Sequence, residues 1–148
     1  MDTVKQDNVI FTDSKVTLWR WRDDFQNDFA ARMDWCNNAY ESANHPPVPV
    51  LSHPEKINVK SGDNFTLDAF QSHDPDGDNI SFLWFNYPEA GNYKKLINVN
   101  GAANVYKAHF TAPKVDKEAT AHFILKVTDK GEPSLSGYKR VIVTIEPK

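Results

Sequence analysis

The hydrophobic period of this chain changes once, at a stretch that neither a helix nor a strand can cross. Up to about residue 40, Trp21, Phe25, Phe29, Met33, Cys36 and Tyr40 recur every three or four positions, while Asp24, Asn27, Asp28 and Asp34 fall elsewhere. That spacing predicts an amphipathic helix over about residues 22–38. Ahead of it, "VIFTDSKVTLWRW" reads as a short strand or an extended arm. Then comes "NNAYESANHPPVPVL", whose prolines fix φ and remove backbone donors, so the helix must stop. Beyond it the period is two. "KINVKSGDNFTLDAF", "NISFLWFNY", "NVYKAHFTAP", "TAHFILKVTD" and "GYKRVIVTIEP" alternate bulky apolar with polar side chains and are separated by turn residues, with room for a further short strand at 95–99. The chain therefore divides into a helical segment, 1–44, and a β-domain, 45–148, with the boundary near Asn44.

About seven short strands with one apolar face each need a partner sheet, which predicts an immunoglobulin-like β-sandwich preceded by an amphipathic helix. Trp84 falls in the third strand on the same side as Ile80 and Phe82, and is expected in the core. The paired cysteines of antibody domains are missing, since Cys36 is the single cysteine, and one thiol forms no internal disulfide. At 148 residues with 40% hydrophobic and 25% charged side chains, the chain has the composition of a globular domain. A net charge of −3 leaves no basic footprint for nucleic acid or anionic lipid. The opening "MDTVKQDNVIF" lacks the apolar core of a signal peptide, and no run of apolar residues is long enough to span a bilayer. The polar lead from Met1 is that of a piece taken between two domains.

Two features are candidates for binding. The loop after the second strand carries Asp74, Asp76 and Asp78, and the loop "VTDKGEPSLSG" carries Asp129 and Glu132; sandwich topology brings both to the end where the linker enters, with Asn44. Alternating carboxylates around a glycine turn can supply oxygen ligands to calcium. Asp-Pro-Asp-Gly is equally a strong turn former, and the twelve-residue calcium loop with its terminal glutamate is missing. The second feature is the outward face of the third strand. Leu83, Phe85 and Tyr87 alternate with Phe82 and Trp84, so both faces are apolar. The outer one calls for a cover, which is the N-terminal helix, a neighbouring domain or a stacked sugar ring. For a sugar, Phe85, Tyr87 and Tyr93, with Trp19 beside them, form the candidate platform. No catalytic set emerges: the five histidines are scattered, and neither H-E-x-x-H nor G-x-S-x-G occurs.

Through "VTLWRWRDDFQNDFAARMDWC", "ANHPP", "DPDGDNISFLWFNYPEAG" and "VTDKGEPSLSGYKRVIVT", the chain resembles the C-terminal part of the bacterial cellulose-binding (DUF1593) family. Its members join a nucleoside-hydrolase-like domain to an immunoglobulin- or cadherin-like sandwich. The resemblance implies a secreted or periplasmic home and a role in handling polysaccharide. It also implies that the helix is the tail of, or the joint to, a preceding hydrolase-like domain. The aspartate-rich signature that opens nucleoside hydrolases is missing, so no catalytic residue is carried over. The expected function is a non-catalytic accessory module that binds a cellulose-like glycan through exposed aromatics. The alternative is a structural module, stiffened by calcium, that orients the hydrolase-like domain.

Overall fold

The computed structural model describes residues 2–6, 9–13, 15–99 and 104–148. An antiparallel hairpin, β1 (Asp2–Gln6) and β2 (Val9–Asp13), leads into a single helical turn α1 (Val16–Trp19) and the helix α2 (Arg22–Trp35). Six strands follow: β3 (Lys56–Lys60), β4 (Asn64–Asp68), β5 (Ser81–Asn86), β6 (Lys107–Thr111), β7 (Ala119–Thr128) and β8 (Ser136–Glu146). They form one sheet in the order β3-β8-β7-β5 and a second of β4-β6. The expected arm before the helix is thus a strand followed by a helical turn. The segment 95–99 is no strand; Asn86 Oδ1 accepts its Ile97 amide at 3.0 Å instead, and the Ile97 side chain enters the core.

Strict alternation builds the interior. Along β7 every second side chain is buried, and Phe123, Leu125 and Val127 meet Val141, Val143 and Ile145 of β8 on the inner face. Across the gap the second sheet contributes Leu67 and Phe110, with Phe110 and Phe123 edge to face at 4.5 Å. Trp84 is 1% exposed and its indole N–H donates to the Tyr106 carbonyl at 3.3 Å, so the ring is buried with its polar edge satisfied. The first and last strands of the sandwich lie side by side and parallel, Ile57 opposite Val143, which covers one edge. This is an immunoglobulin-like β-sandwich, with Trp84 inward and Phe85 on the reverse face as the alternation requires.

The linker is not a free tether. Val48 and His73 exchange backbone hydrogen bonds at 2.8 and 3.2 Å, which ties the proline stretch to the acidic loop. The helix departs further from expectation. Its Phe25–Phe29–Met33 stripe does not lie on the sheet. The docked side carries Trp21, Asp24, Asn27, Ala31 and Trp35, and Ala31 is the residue of α2 that is buried.

Candidate functional site

The face of β5, β7 and β8 opposite the core presents Phe85, Ile124, Lys126 and Tyr138. Trp21, at the entry to α2, lies over it. Its ring centroid is 5.9 Å from Phe85, 6.4 Å from Tyr87 and 5.3 Å from Tyr138, edge-on to both tyrosines. Arg20 sits over the Tyr87 ring at 5.4 Å and pairs with Glu89 at 3.0 Å. Of the candidate platform, then, Phe85 and Tyr87 are half-buried beneath the protein's own Trp21. Tyr93 packs against the sandwich core and its amide donates to the Thr120 carbonyl at 3.1 Å. Trp19, on α1, is 49% exposed. The four rings therefore form no single open surface, because Trp21 occupies the place a sugar ring would take on Phe85.

Asp24, one turn beyond Trp21, is the polar centre of this seat. Its carboxylate accepts from Lys126 Nζ at 2.6 and 2.8 Å, from the Ser136 hydroxyl at 3.1 Å, and from the Tyr138 hydroxyl. Burial first, then the bond to Asp24, raises the Tyr138 phenol well above its ordinary pKa, so it stays a protonated donor. Further along the helix, Asn27 Nδ2 donates to the Ser134 carbonyl at 2.9 Å and Trp35 Nε1 to the Asn44 carbonyl at 2.8 Å. Sequence reasoning missed Asp24, Lys126 and Tyr138. The available signal was the shared helical face of Trp21, Asp24, Asn27 and Ala31, set against a lone outward lysine in the apolar run of β7.

Beside this seat a groove of about 440 Å³ opens between α2 and the sheet. Trp21, Phe25 and Tyr138 supply aromatic walls; Asp24 and Asp28 supply carboxylates, and Ser136 a hydroxyl. Apolar ring faces flanked by a few oxygen acceptors can stack on the C–H face of a ring while accepting from its hydroxyls.

The acidic end is assembled as its loops suggested, but its carboxylates are engaged. Asp74 Oδ1 accepts from the amides of Asp76 and Asp78 at 2.9 and 3.2 Å and so shapes the turn, with Gly77 at φ +81°. Asp76 accepts from the His45 amide at 2.6 Å and lies 2.9 Å from the His45 ring nitrogen. Burial alone would raise its pKa; the His45 contacts outweigh that and lower it. Asp129 is buried and accepts from Asn44 Nδ2 at 3.0 Å and from the Gly131 and Leu135 amides at 3.1 and 2.8 Å. Asp78 is held above the usual carboxylate range by desolvation and by the nearby charges of Asp74, Asp129 and Asp76. The second oxygen of Asp74 is buried with no hydrogen-bond partner. Among the described residues, no three histidine, cysteine, aspartate or glutamate side chains converge to hold a metal ion.

Residues 64–145, more than half of the chain, match the family of the C-terminal domain of the cellulose-binding protein Sde0182. The chain is also similar to a solved structure of a nucleoside hydrolase-related hypothetical protein from Saccharophagus degradans that is associated with carbohydrate metabolism. Identity is 32% and the TM-score 0.81, over 96% of this chain and 36% of that one. This chain thus spans about a third of that protein's length. The PKD domain of the KIAA 1837 protein is similar at 22% identity and a TM-score of 0.49, over 68% of this chain and 89% of that domain. No curated protein sequence matches.

Proposed function

Because this chain belongs to the family of the Sde0182 C-terminal domain, we propose that it is a non-catalytic accessory module that binds carbohydrate and holds a catalytic neighbour on a polysaccharide. The observation that carries this reading is the groove beside Trp21, where aromatic walls stand next to carboxylates. Phe25 is half-exposed there and offers a ring face, and Asp28, which pairs with Arg32 at 2.7 Å, lines the groove with a carboxylate whose remaining lone pairs would accept from sugar hydroxyls. Phe85 and Tyr87 serve beneath Trp21 as the support that sets its tilt. A secreted or periplasmic home fits such a role.

Retention on insoluble cellulose and on other glycans tests it. Wild type should be retained, and Phe25→Ala and Asp28→Ala should each weaken retention while the sandwich still melts cooperatively. Tyr87→Ala should weaken it less, acting through the support of Trp21 alone, and Tyr93→Ala, at a ring packed against the core, should leave it unchanged. Absence of wild-type retention on every glycan would remove the carbohydrate reading in favour of a structural module.

A second reading concerns the acidic end. Desolvation first, then the charges of Asp74, Asp129 and Asp76, raise the pKa of Asp78, and the second oxygen of Asp74 is buried without a hydrogen-bond partner, so a cation there would relieve both. Calcium held by Asp74, Asp76, Asp78 and Asp129 would stiffen the loops that grip Asn44 and His45, at the expense of the present bonds to His45 and the loop amides. A ligand that binds only the folded state raises the melting temperature. An unchanged melting curve between millimolar calcium and chelator would exclude the ion.

A further inference from the structure

The far end of α2 carries a second aromatic concavity, apart from the groove beside Trp21. Trp35 is the last residue of the helix, and its indole N–H donates to the Asn44 carbonyl at 2.8 Å, so the chain between them is pinned into a closed loop. Within that loop the Asn37 and Asn38 amides both donate to the Asp34 carbonyl, at 3.0 and 2.9 Å, and a short turn, Tyr40–Ser42, follows. His45 stands at the exit. Its amide donates to Asp76 at 2.6 Å, and its ring Nδ1 lies 2.9 Å from the same carboxylate. Because a carboxylate only accepts, Nδ1 carries the hydrogen, and Nε2 of the neutral ring is an acceptor. The His45 ring stacks on Trp35 with centroids 5.9 Å apart and meets Tyr40 at 4.0 Å. These three rings, with Asn38 and Ala43, line a pocket of about 250 Å³.

The pocket is small, and its walls are fixed by those bonds. A volume of about 250 Å³ lies below the ~300–1,000 Å³ of sites for drug-sized ligands and has room for one ring. Tyr40 is 71% exposed and offers a ring face, while the Asn38 amide and His45 Nε2 offer neutral hydrogen-bonding groups. Ring faces beside such groups suit a sugar. The pocket also joins the groove. Arg32 pairs at 2.7 Å with Asp28, which lines the groove, and its guanidinium lies 5.6 Å from the ring centroid of Trp35, which lines the pocket. Phe25 and Trp35 are separated by about 15 Å along the helix, at about 1.5 Å per residue. Several linked sugars cross such a gap, and a disaccharide does not. We propose that the Trp35–Tyr40–His45 pocket is a second sugar subsite, so that the ligand is an extended glycan chain held near both ends of α2 with Arg32 between the two subsites. The proposal rests on the carbohydrate reading and deepens it, since it makes chain length the property that the module recognises.

The gain in affinity with chain length is the test. It is the affinity for cellohexaose divided by that for cellobiose, from calorimetric titration of the 148-residue chain. Where another polysaccharide retains the chain, its own oligosaccharides of matching lengths are the probes. In wild type the gain should be at least about tenfold, because the second contact is intramolecular once the first is made. Tyr40→Ala should bring the gain close to one, and so should Phe25→Ala in the groove. Tyr40→Phe keeps the ring face and should keep the gain. Since Tyr40 lies largely in solvent, the Ala variant should melt as wild type does. A Tyr40→Ala chain with the full gain would overturn the proposal, as would a wild type that binds the short and the long sugar equally; in either case the groove would stand as the carbohydrate site by itself. An equal loss for both sugars in Tyr40→Ala would point to a displaced helix and would overturn it too. Failure of wild type to bind any oligosaccharide or polysaccharide would remove the carbohydrate reading and the subsite together.

Discussion

The interior of the sandwich and the seat of the helix lie on opposite faces of the same strands, β5, β7 and β8, and hold by different physics. Inside, Trp84, Phe123, Leu125, Val141 and Val143 are buried among apolar neighbours, where each large side chain contributes about 1.5–3 kcal/mol by leaving water. Such burial is non-directional, and many residues share the load. Outside, one carboxylate, Asp24, collects an ammonium, a serine hydroxyl and a phenol under the edge of Trp21. That contact is directional: with the Asn27–Ser134 and Trp35–Asn44 bonds it specifies where the helix sits, through a few named groups. The comparison implies that the sandwich should survive the loss of the seat, whereas the seat should not survive the loss of the sandwich.

Trp84→Ala should have the largest effect. It removes the largest fully buried side chain and one of the two donors to the Tyr106 carbonyl, the Ala69 amide remaining, costing about 3–5 kcal/mol. The urea midpoint of the strands and the amide protection of α2 should fall together. Next in size is Asp24→Ala, which strands the half-buried Lys126 ammonium and the Tyr138 hydroxyl, at about 1–3 kcal/mol. Hydrogen exchange should then rise across 22–35 while β7 and β8 stay protected. A uniform rise would mean that core and seat are one cooperative unit, against the division drawn above.

Gly131→Ala should be milder and confined to the linker end. Its new Cβ would be driven into the Asn44 amide, which must release Asp129 and the Pro133 carbonyl, at roughly 1 kcal/mol. The smallest effect is expected from Asp78→Asn. Its folded pKa is raised, first by desolvation and then by Asp74, Asp129 and Asp76, so ionised Asp78 opposes folding. The variant should melt higher than wild type at neutral pH, and the gain should fade as pH falls through the carboxylate range. Asp76 has the opposite sign. Its contacts with His45 lower its pKa, so its contribution is present at neutral pH and is lost as pH falls through its depressed folded value. A wild-type acid melting profile without that late loss would count against the His45–Asp76 contact.

Much of the fold was legible because alternation is a local signal. Trp84 inward and Phe85 outward follow from the pleat once "ISFLWF" is taken as a strand, and Asp129 and Asp78 approach each other because the topology brings those loops to one end. The segment 95–99 was misjudged because Ile97 is anchored by one apolar side chain and one bond to Asn86, not by a ladder. For the site, the residues beneath the cover, Phe85 and Tyr87, were visible in the sequence, and so was the helix as one of their covers. The rotation of that helix was not. A hydrophobic stripe signals only that a face wants to leave water; it does not say which partner it meets.

The sequence by itself determined the two units, the strand pattern, the inward tryptophan and the gathering of acidic tips, since each depends on backbone periodicity and turn chemistry within a few residues. Only the tertiary structure decided that Asp24, and not the phenylalanine stripe, meets the sheet. That choice depends on a lysine and a tyrosine about a hundred residues away. Local spacing shows that Trp21, Asp24, Asn27 and Ala31 share a face, but complementarity over such a distance decides which partner that face meets.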